Sequence, residues 1–423
     1  MWQALDKADF FFWGRETALI TSGARWRVLI PPSGNPGPAA VAAQLRRASS
    51  AVTELFETAS LVARSIGEKA SGSVPPRPPD PENSGVDDSE LDHKSETRTS
   101  PTVAIGIVGF DASVPAEFVV PRFTTVLEGA SIRLSLESQD PDTRQSAALL
   151  EAPHFFSTCR STYRRAVTEI LKRIENGRLQ KAVLARKVDV ELTARPTTSE
   201  ILRRLALQGK PAALFCSKGW IGASPELLVR TEGGEVEVEV VAGTYPAEGS
   251  LLQSTAGASE DIRTDSKELH EHRLVVEHVL ERLPSLCAGV VSEVEPSVVR
   301  VGRLAHLRTV VRGRLKEGVT SLAVAAALHP TPAVCGSPVG PAYESIRELE
   351  PFMRRYYSGL VGWCDSDGRS EWAYVLRCAF IAGRRASVFA GAGIVAGSDP
   401  DKETYETEAK MKPMLEALGV TER

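Results

Sequence analysis

Two pairs of glutamates, each set three residues apart, frame the chemistry this chain could do: Glu268 with Glu271, and Glu403 with Glu406. In a helix that spacing puts both carboxylates of a pair on one face. Each pair follows a capping signal, Asp265 before Glu268, and Ser398 or Asp399 with Pro400 before Glu403. Taken singly, such pairs more often cap a helix, offset its dipole or form a solvated face than do chemistry. Facing each other, they would make an all-oxygen site suited to Mg²⁺ with several retained waters. Lys410, four residues after Glu406, has the favoured order for a helix ion pair. It would also add a positive contact to a carboxylate or phosphate on a ligand.

Four further residues have types that matter. Lys181 opens a strand-like run in which Val183 and Ala185 share its face; such a lysine is either a solvated strand end or, if buried, a base. Glu226 in "GASPELLV" reads as a turn carboxylate that caps a backbone N–H. Arg377 lies in the strand-like "AYVLRCAF", where an arginine among apolar neighbours wants a carboxylate, structural or from a ligand. His329 ends a helix, as a capping histidine does. The stretch "GAGIVAGSDPDKETYETEAK" joins bare backbone at Gly391 and Gly393 to the acids of the second pair. A phosphate-binding turn would not be followed by a helix that repels phosphate.

The elements that must position these residues follow from periodicity. Tyr163, Ala166, Val167, Ile170, Leu171 and Ile174 repeat at helical spacing up to Asn176-Gly177. "LQKAVLARKVDVEL", "PAALFCSKGWIGASPELLVRTE" and "EVEVEVVAGTYP" read as strands. Asp265 to Leu283 reads as an amphipathic helix with Leu269, His272, Val276, Leu280 and Leu283 along one stripe. "VVRVGRLAHLRTVVRGRLK" reads as strand, turn and strand, and "SLAVAAALHPTPAV" as a helix stopped at His329-Pro330. "RSEWAYVLRCAFIAGRRASVFAGAGI" reads as a hairpin of strands. Earlier, "AAVAAQLRRASSAVTELFETASLVARSI" reads as a helix and "TVAIGIVGF" as a strand. Between them the Pro-, Ser- and charge-rich stretch from Glu68 has too few apolar residues to offset its ordering entropy. The division expected is 1–67, a flexible loop at 68–101, a continuation at 102–151 and a catalytic region at 152–423. Strands outnumber βαβ alternations, so the fold class is α+β.

Bulk properties exclude several classes. The net charge of −4 gives no electrostatic case for nucleic acid or an anionic membrane surface. No apolar run is long enough to span a bilayer, and the N-terminal residues lack the pattern of a signal peptide. The six cysteines form no CxxC pair, which fits buried free thiols in a reducing compartment. A cytoplasmic chain without nucleic-acid or membrane partners is expected.

In this order "LQKAVLAR", "GASPELLVR", "AGTYP", "SKELHEHRLVV", "LHPTPAVCGSP", "EPFMRRYYSGLVGW", "LRCAFI" and "GAGIVAGSDPDKETYETEAK" resemble the chorismate-binding enzymes, and among them the isochorismate synthases. The resemblance covers roughly Phe155 to Leu418 and implies the chorismate-binding fold, large β-sheets flanked by helices in a single large domain. It also implies Mg²⁺ as cofactor, chorismate as the small-molecule partner and a monomer. By position, Glu271 and Glu406 match the direct metal ligands, and Glu268 and Glu403 the acids that hold the metal's waters. Gly243, Thr244, His329, Ala333, Val334, Arg377, Gly391 and Lys410 match substrate-binding positions. Lys181 matches the general base that takes a proton from water as it attacks C2. Glu226 matches the general acid that protonates the departing C4 hydroxyl. Relatives that add ammonia lack a lysine at position 181, and those that add water have one.

The resemblance has departures. "AGTYPAEG" carries Tyr245 and Ala247 where the family usually shows arginines, and the segment Ser250 to Ile262 fits poorly. Thr404 stands in place of a usual Trp, and Arg355 in place of a usual Gly. These motivate a second reading, a catalytically impaired chorismate-binding protein. A third, salicylate synthase, is opposed by "HPTPAVCG". A nucleotide-binding oxidoreductase is opposed by the GxGxxxG spacing from Gly391 to Gly397. Menaquinone, siderophore and salicylate routes all begin with isochorismate, and the sequence does not choose among them.

Overall fold

The alternating strands of the sequence become one antiparallel ladder. The computed structural model describes residues 8, 10–14, 17–71, 102–128, 155–157, 160–194, 196–209, 211–246, 265–301 and 304–420. The N-terminal part supplies β1 (Phe10–Trp13), β2 (Thr17–Ile30), helix α1 (Pro38–Ser71), β3 (Val103–Val108), β4 (Ala116–Glu128) and β5 (Phe155–Ser157). Helix α2 (Arg160–Glu175) leads into β6 (Lys181–Glu191), and α3 (Thr198–Leu207) into β7 (Ala213–Ser217), β8 (Trp220–Ser224), β9 (Leu227–Glu232) and β10 (Glu235–Pro246). Helix α4 (Ser266–Arg282) precedes β11 (Cys287–Ser292), β12 (Ser297–Val301) and β13 (Leu304–Leu315). Then come α5 (Ser321–Leu328), β14 (Gly336–Ser337), α6 (Val339–Leu349), β15 (Leu360–Asp365), β16 (Ser370–Tyr374), β17 (Cys378–Ala382), β18 (Arg385–Val395) and α7 (Pro400–Ala417).

Hydrogen bonding connects all 18 of these strands. From β11 and β12, side by side along β13, it passes through β10, β9, β16, β15, β3, β4 and β2. Strand β1 bridges β2 to β7, and the ladder continues through β8, β17 and β18 to β6. Every pairing is antiparallel, which forms two large sheets with helices against them in a single domain. The α+β class expected from the sequence is therefore what the chain adopts. No helix among the described residues is long and apolar enough to cross a membrane. Cys216, Cys287, Cys335, Cys364 and Cys378 are free thiols.

Four expectations need correction. Helix α1 runs to Ser71, past the boundary drawn at 68; the charged residues that read as loop still suit a helix end. The rest of that stretch, residues 72–101, lies outside the described residues, as does 250–262. The segment Arg369 to Ile394 is not one hairpin: β17 pairs with β18, but β16 pairs with β15 and β9. Arg377 sits in the turn between β16 and β17 with φ +45°, not in a strand. The buried residues of α4 are Glu268, His272, Leu274, Val275, His278 and Val279, so of the expected stripe His272 is buried, as is Leu283 just past the helix. Leu280, placed on that stripe by the sequence reading, is 37% exposed, because polar side chains occupy the face turned toward the ladder.

Candidate active site

Strand β6 places Lys181 at the end of an 11-residue register with β18, opposite Val395. On β6's other edge, Ser337 of β14 pairs with Lys181. Enclosed on both edges, Lys181 is fully buried, and the solvated-end reading is excluded. Its Nζ lies 2.9 Å from Glu271 Oε1. Glu271 comes from α4, which Asp265 caps by accepting from the N–H groups of Lys267 and Glu268. Gly393 of β18 makes room for the pair: a Cβ there would fall 2.2 Å from Glu271 Oε1 and 2.9 Å from Lys181 Cε.

Above this ion pair is a cavity lined by nine of the sequence-expected residues: Glu226, Gly243, Thr244, Glu271, Ala333, Val334, Arg377, Gly391 and Lys410. Glu226 is buried, and burial pushes its carboxyl up to about 8, against the opposing pull of Lys181, the Val241 backbone and Lys410. At neutral pH it is a proton donor. Arg377 has no carboxylate partner among the described residues, and burial lowers its guanidinium to about 10. An unpaired guanidinium in a cavity is a receptor for an anion.

Of the four metal-type acids Glu271 lines the cavity and Glu268, Glu403 and Glu406 do not, and each of the four holds a lysine. Lys410 Nζ donates to Glu406 Oε1 at 2.5 Å and to the Gly391 carbonyl at 3.1 Å. Lys267 Nζ lies 2.9 Å from Glu403 Oε1 and 3.2 Å from Glu268 Oε1. Glu268 Oε2 also accepts from the Thr244 N–H at 2.6 Å. Helix α7 carries Glu403, Glu406 and Lys410, and Asp399 caps it through the N–H groups of Asp401 and Lys402. Burial, then the neighbouring Glu271 charge, raises the Glu268 carboxyl; burial, then Glu406, raises that of Glu403. Burial also pushes Glu271 up, but Lys181, Lys410 and Lys267 together hold it below the ordinary range. Among the described residues no three His, Cys, Asp or Glu side chains are arranged to hold a metal ion. Four carboxylates against three lysines nevertheless leave mutually repelling negative charge, and hard oxygen donors are what Mg²⁺ takes. By donor type the four carboxylates suit that ion, and in this arrangement no three of them converge on one point.

His329 stands apart. It caps α5 and is buried against the Tyr374 ring, 5.7 Å between centroids, and is not among the lining residues. Several lining or supporting residues were missed by the sequence reading. His306 of β13 lies 3.1 Å from the Gly243 carbonyl through Nδ1, so Nδ1 donates and Nε2 is left as an acceptor. Burial, with Arg377 and Lys410 nearby, lowers that imidazole to about 3. Tyr357 lines the cavity and is held by stacking on Phe389, 5.2 Å between centroids. Ser358 lines it at φ +62°. Arg354 is buried and organises the "HPTPAV" segment. It donates to the carbonyls of Val334 at 2.8 Å and Val183 at 2.6 Å while paired with Glu350. Arg355, where relatives usually have Gly, does adopt φ +55°, with its guanidinium over the Phe380 ring. The only prior signal for these residues was polarity inside apolar runs, which does not say which cavity they face.

Comparison with known proteins bears on this geometry. The family model described as chorismate binding enzyme matches residues 117–419. A vibriobactin-specific isochorismate synthase of Vibrio cholerae is 37% identical over 321 residues, 74% of this chain and 79% of that one. An isochorismate synthase of Bacillus subtilis is 34% identical over 342 residues, 78% of this chain and 84% of its own. A solved structure from Bacillus anthracis, assigned as a 2,3-dihydroxybenzoate-specific isochorismate synthase, superposes over 100% of both chains with a TM-score of 0.77 at 28% identity.

Proposed function

The chain belongs to the chorismate-binding enzyme family, and we propose that it is an isochorismate synthase, a Mg²⁺-dependent isomerase converting chorismate to isochorismate. The observation that carries the reading is the opposed pair at the cavity. Glu226 lines the cavity and holds a proton up to about pH 8, while Lys181 is fully buried behind the lining and reaches it through its ion pair with Glu271, which does line it. An allylic displacement of this kind needs one group to take a proton and one to give a proton. Lys181 takes the proton of a water that attacks C2; Glu226 gives its proton to the C4 oxygen as it leaves. Water enters and the hydroxyl departs as water, so the reaction balances as an isomerisation.

Substrate binding follows from two cations that line the cavity, Arg377, which has no carboxylate partner among the described residues, and Lys410, which is paired with Glu406. Arg377 takes one carboxylate of chorismate with a charge-assisted fork. Lys410 and the backbone at Gly391 take the other, and Gly243 and Thr244, with Ala333 and Val334, bound the ring. Glu271 and Glu406, assisted by Glu268 and Glu403, would hold Mg²⁺, which would supply neutralisation of a substrate carboxylate. The names of the relatives support water addition over ammonia addition.

The test is incubation of the purified protein with chorismate, with and without Mg²⁺, and chromatography of the products. A chorismate–isochorismate mixture that requires Mg²⁺ and disappears in Lys181→Ala is expected. Salicylate with pyruvate, formed faster than isochorismate decays unaided, would reassign the chain to salicylate synthesis. Chorismate binding without turnover would make it an impaired binding protein.

A further inference from the structure

Arg186 takes no part in the chemistry above. It follows Lys181 by five positions on β6, so strand alternation turns the two side chains to opposite faces. Its guanidinium is 3% exposed, and among the described residues its hydrogen bonds all go to α7. Nη1 donates to Glu408 Oε1 at 2.9 Å, to Thr407 Oγ1 at 3.0 Å and to the Thr404 carbonyl at 3.4 Å. The plane also covers the Tyr163 ring of α2, 5.7 Å from its centroid.

The residues it grips interleave with the functional ones. Thr404 follows Glu403, Thr407 follows Glu406, and Glu408 precedes Lys410 by two. We propose that Arg186 is a positioning residue. It fixes the rotation and axial position of α7, and so sets where Glu403, Glu406 and Lys410 meet α4 and the cavity. The proposal rests on the magnesium-dependent isochorismate synthase reading. Two hydrogen bonds from Nη1, to a side-chain hydroxyl and a carboxylate, with a longer shared contact to a backbone carbonyl, constrain a helix about its axis and along it, which apolar packing alone does not. The other arginines that reach α7 hold it less firmly, and partly buried Arg204 reaches only the carbonyl of its last residue, Ala417, at 3.0 Å. Arg160 pairs with Glu408 and Arg164 with Asp401, but their side chains are 73% and 51% exposed, where ion pairs hold geometry weakly. Arg160 does mean that loss of Arg186 leaves Glu408 with a partner, so substitution does not strand a carboxylate.

The experiment is calorimetric titration of Mg²⁺ and of chorismate into the wild type, Arg186→Met, Arg186→Lys and Thr407→Val, with melting temperatures recorded alongside. Arg186→Met is expected to raise both dissociation constants roughly tenfold or more. Arg186→Lys should recover part of the loss. Thr407→Val, which keeps the guanidinium, should weaken both ligands by a few-fold. A role confined to stability would lower the melting temperature and leave both constants at wild-type values, which overturns the proposal. If Arg186→Met does not fold, Thr407→Val decides, and unchanged affinities there overturn it too. A wild type that binds neither ligand refutes the functional reading and this proposal together; a wild type that binds both alongside an unaffected Arg186→Met refutes positioning alone.

Discussion

Gly393→Ala puts the smallest available perturbation on the proposed base. The added methyl would stand 2.2 Å from Glu271 Oε1, 2.8 Å from its Cδ and 2.9 Å from Lys181 Cε, where ordinary contact begins at 3.4 Å. The overlap with the carboxylate oxygen exceeds about 1 Å, and β18 is pinned to β6 along its whole length, so the strand cannot give way. Glu271 and Lys181 must move instead. A displacement of about 1 Å at reacting groups costs on the order of 10²-fold in rate, while overpacking a buried site costs about 1–3 kcal/mol of stability. The expected result is a folded protein with kcat for chorismate lowered about 100-fold. Gly340→Ala is the control: its Cβ meets nothing within 4 Å at the start of α6. It should leave turnover unchanged and gain ~0.5–1 kcal/mol in denaturant unfolding. Wild-type turnover by Gly393→Ala would refute the claim that catalysis depends on the placement of the Lys181–Glu271 pair.

Glu226→Gln should abolish turnover and also change how stability varies with pH. Between its ordinary value of 4.5 and about 8 the native carboxyl keeps a proton that the unfolded chain has released. Its stabilisation is therefore complete below 4.5 and lost as pH rises through about 8. Unfolding curves of Glu226→Gln should lack that decline, and the wild-type kcat should fall above pH of about 8 as the acid is deprotonated. Arg377→Gln should raise the KM for chorismate by roughly 10- to 100-fold, the worth of a charge-assisted hydrogen bond; an unchanged KM would remove Arg377 from the substrate site. Glu350→Gln leaves the buried Arg354 with an uncompensated charge and should cost about 3–5 kcal/mol in urea unfolding.

The legibility of this site in the sequence was uneven for physical reasons. β6, β10 and the Tyr163–Ile174 periodicity of α2 were readable because apolar periodicity and burial agree there. Capping made the starts of α4 and α7 visible, and the spacing within each acid pair placed the carboxylates together on a face. The face of α4 was misread in part: His272 and Leu283 of the expected stripe are buried, but the helix also buries Glu268 and leaves Leu280 37% exposed. Arg377 read as a strand residue because side-chain type does not reveal a positive φ. His306 and Arg186 were overlooked because their partners lie dozens to hundreds of residues away, and Arg354 because its local pair with Glu350, four residues before, does not show from sequence that both are buried. The register of eight motifs identified the family where none of these residues could alone.

The pairing of β6 with β18 joins residues 181–191 to residues 385–395. Loop closure over such a separation is paid before any contact repays it, so this ladder forms late and slowly. During synthesis, the strand bearing Lys181 leaves the ribosome roughly 200 residues before its partner, at about 5–20 residues per second. For on the order of ten seconds the nascent chain therefore carries an apolar strand with an open edge, the kind of template on which chains pair wrongly. Chaperone demand should thus concentrate on chains that end between these two strands, and such fragments should carry no partial activity, since base and carboxylate-binding helix meet only after the ladder closes.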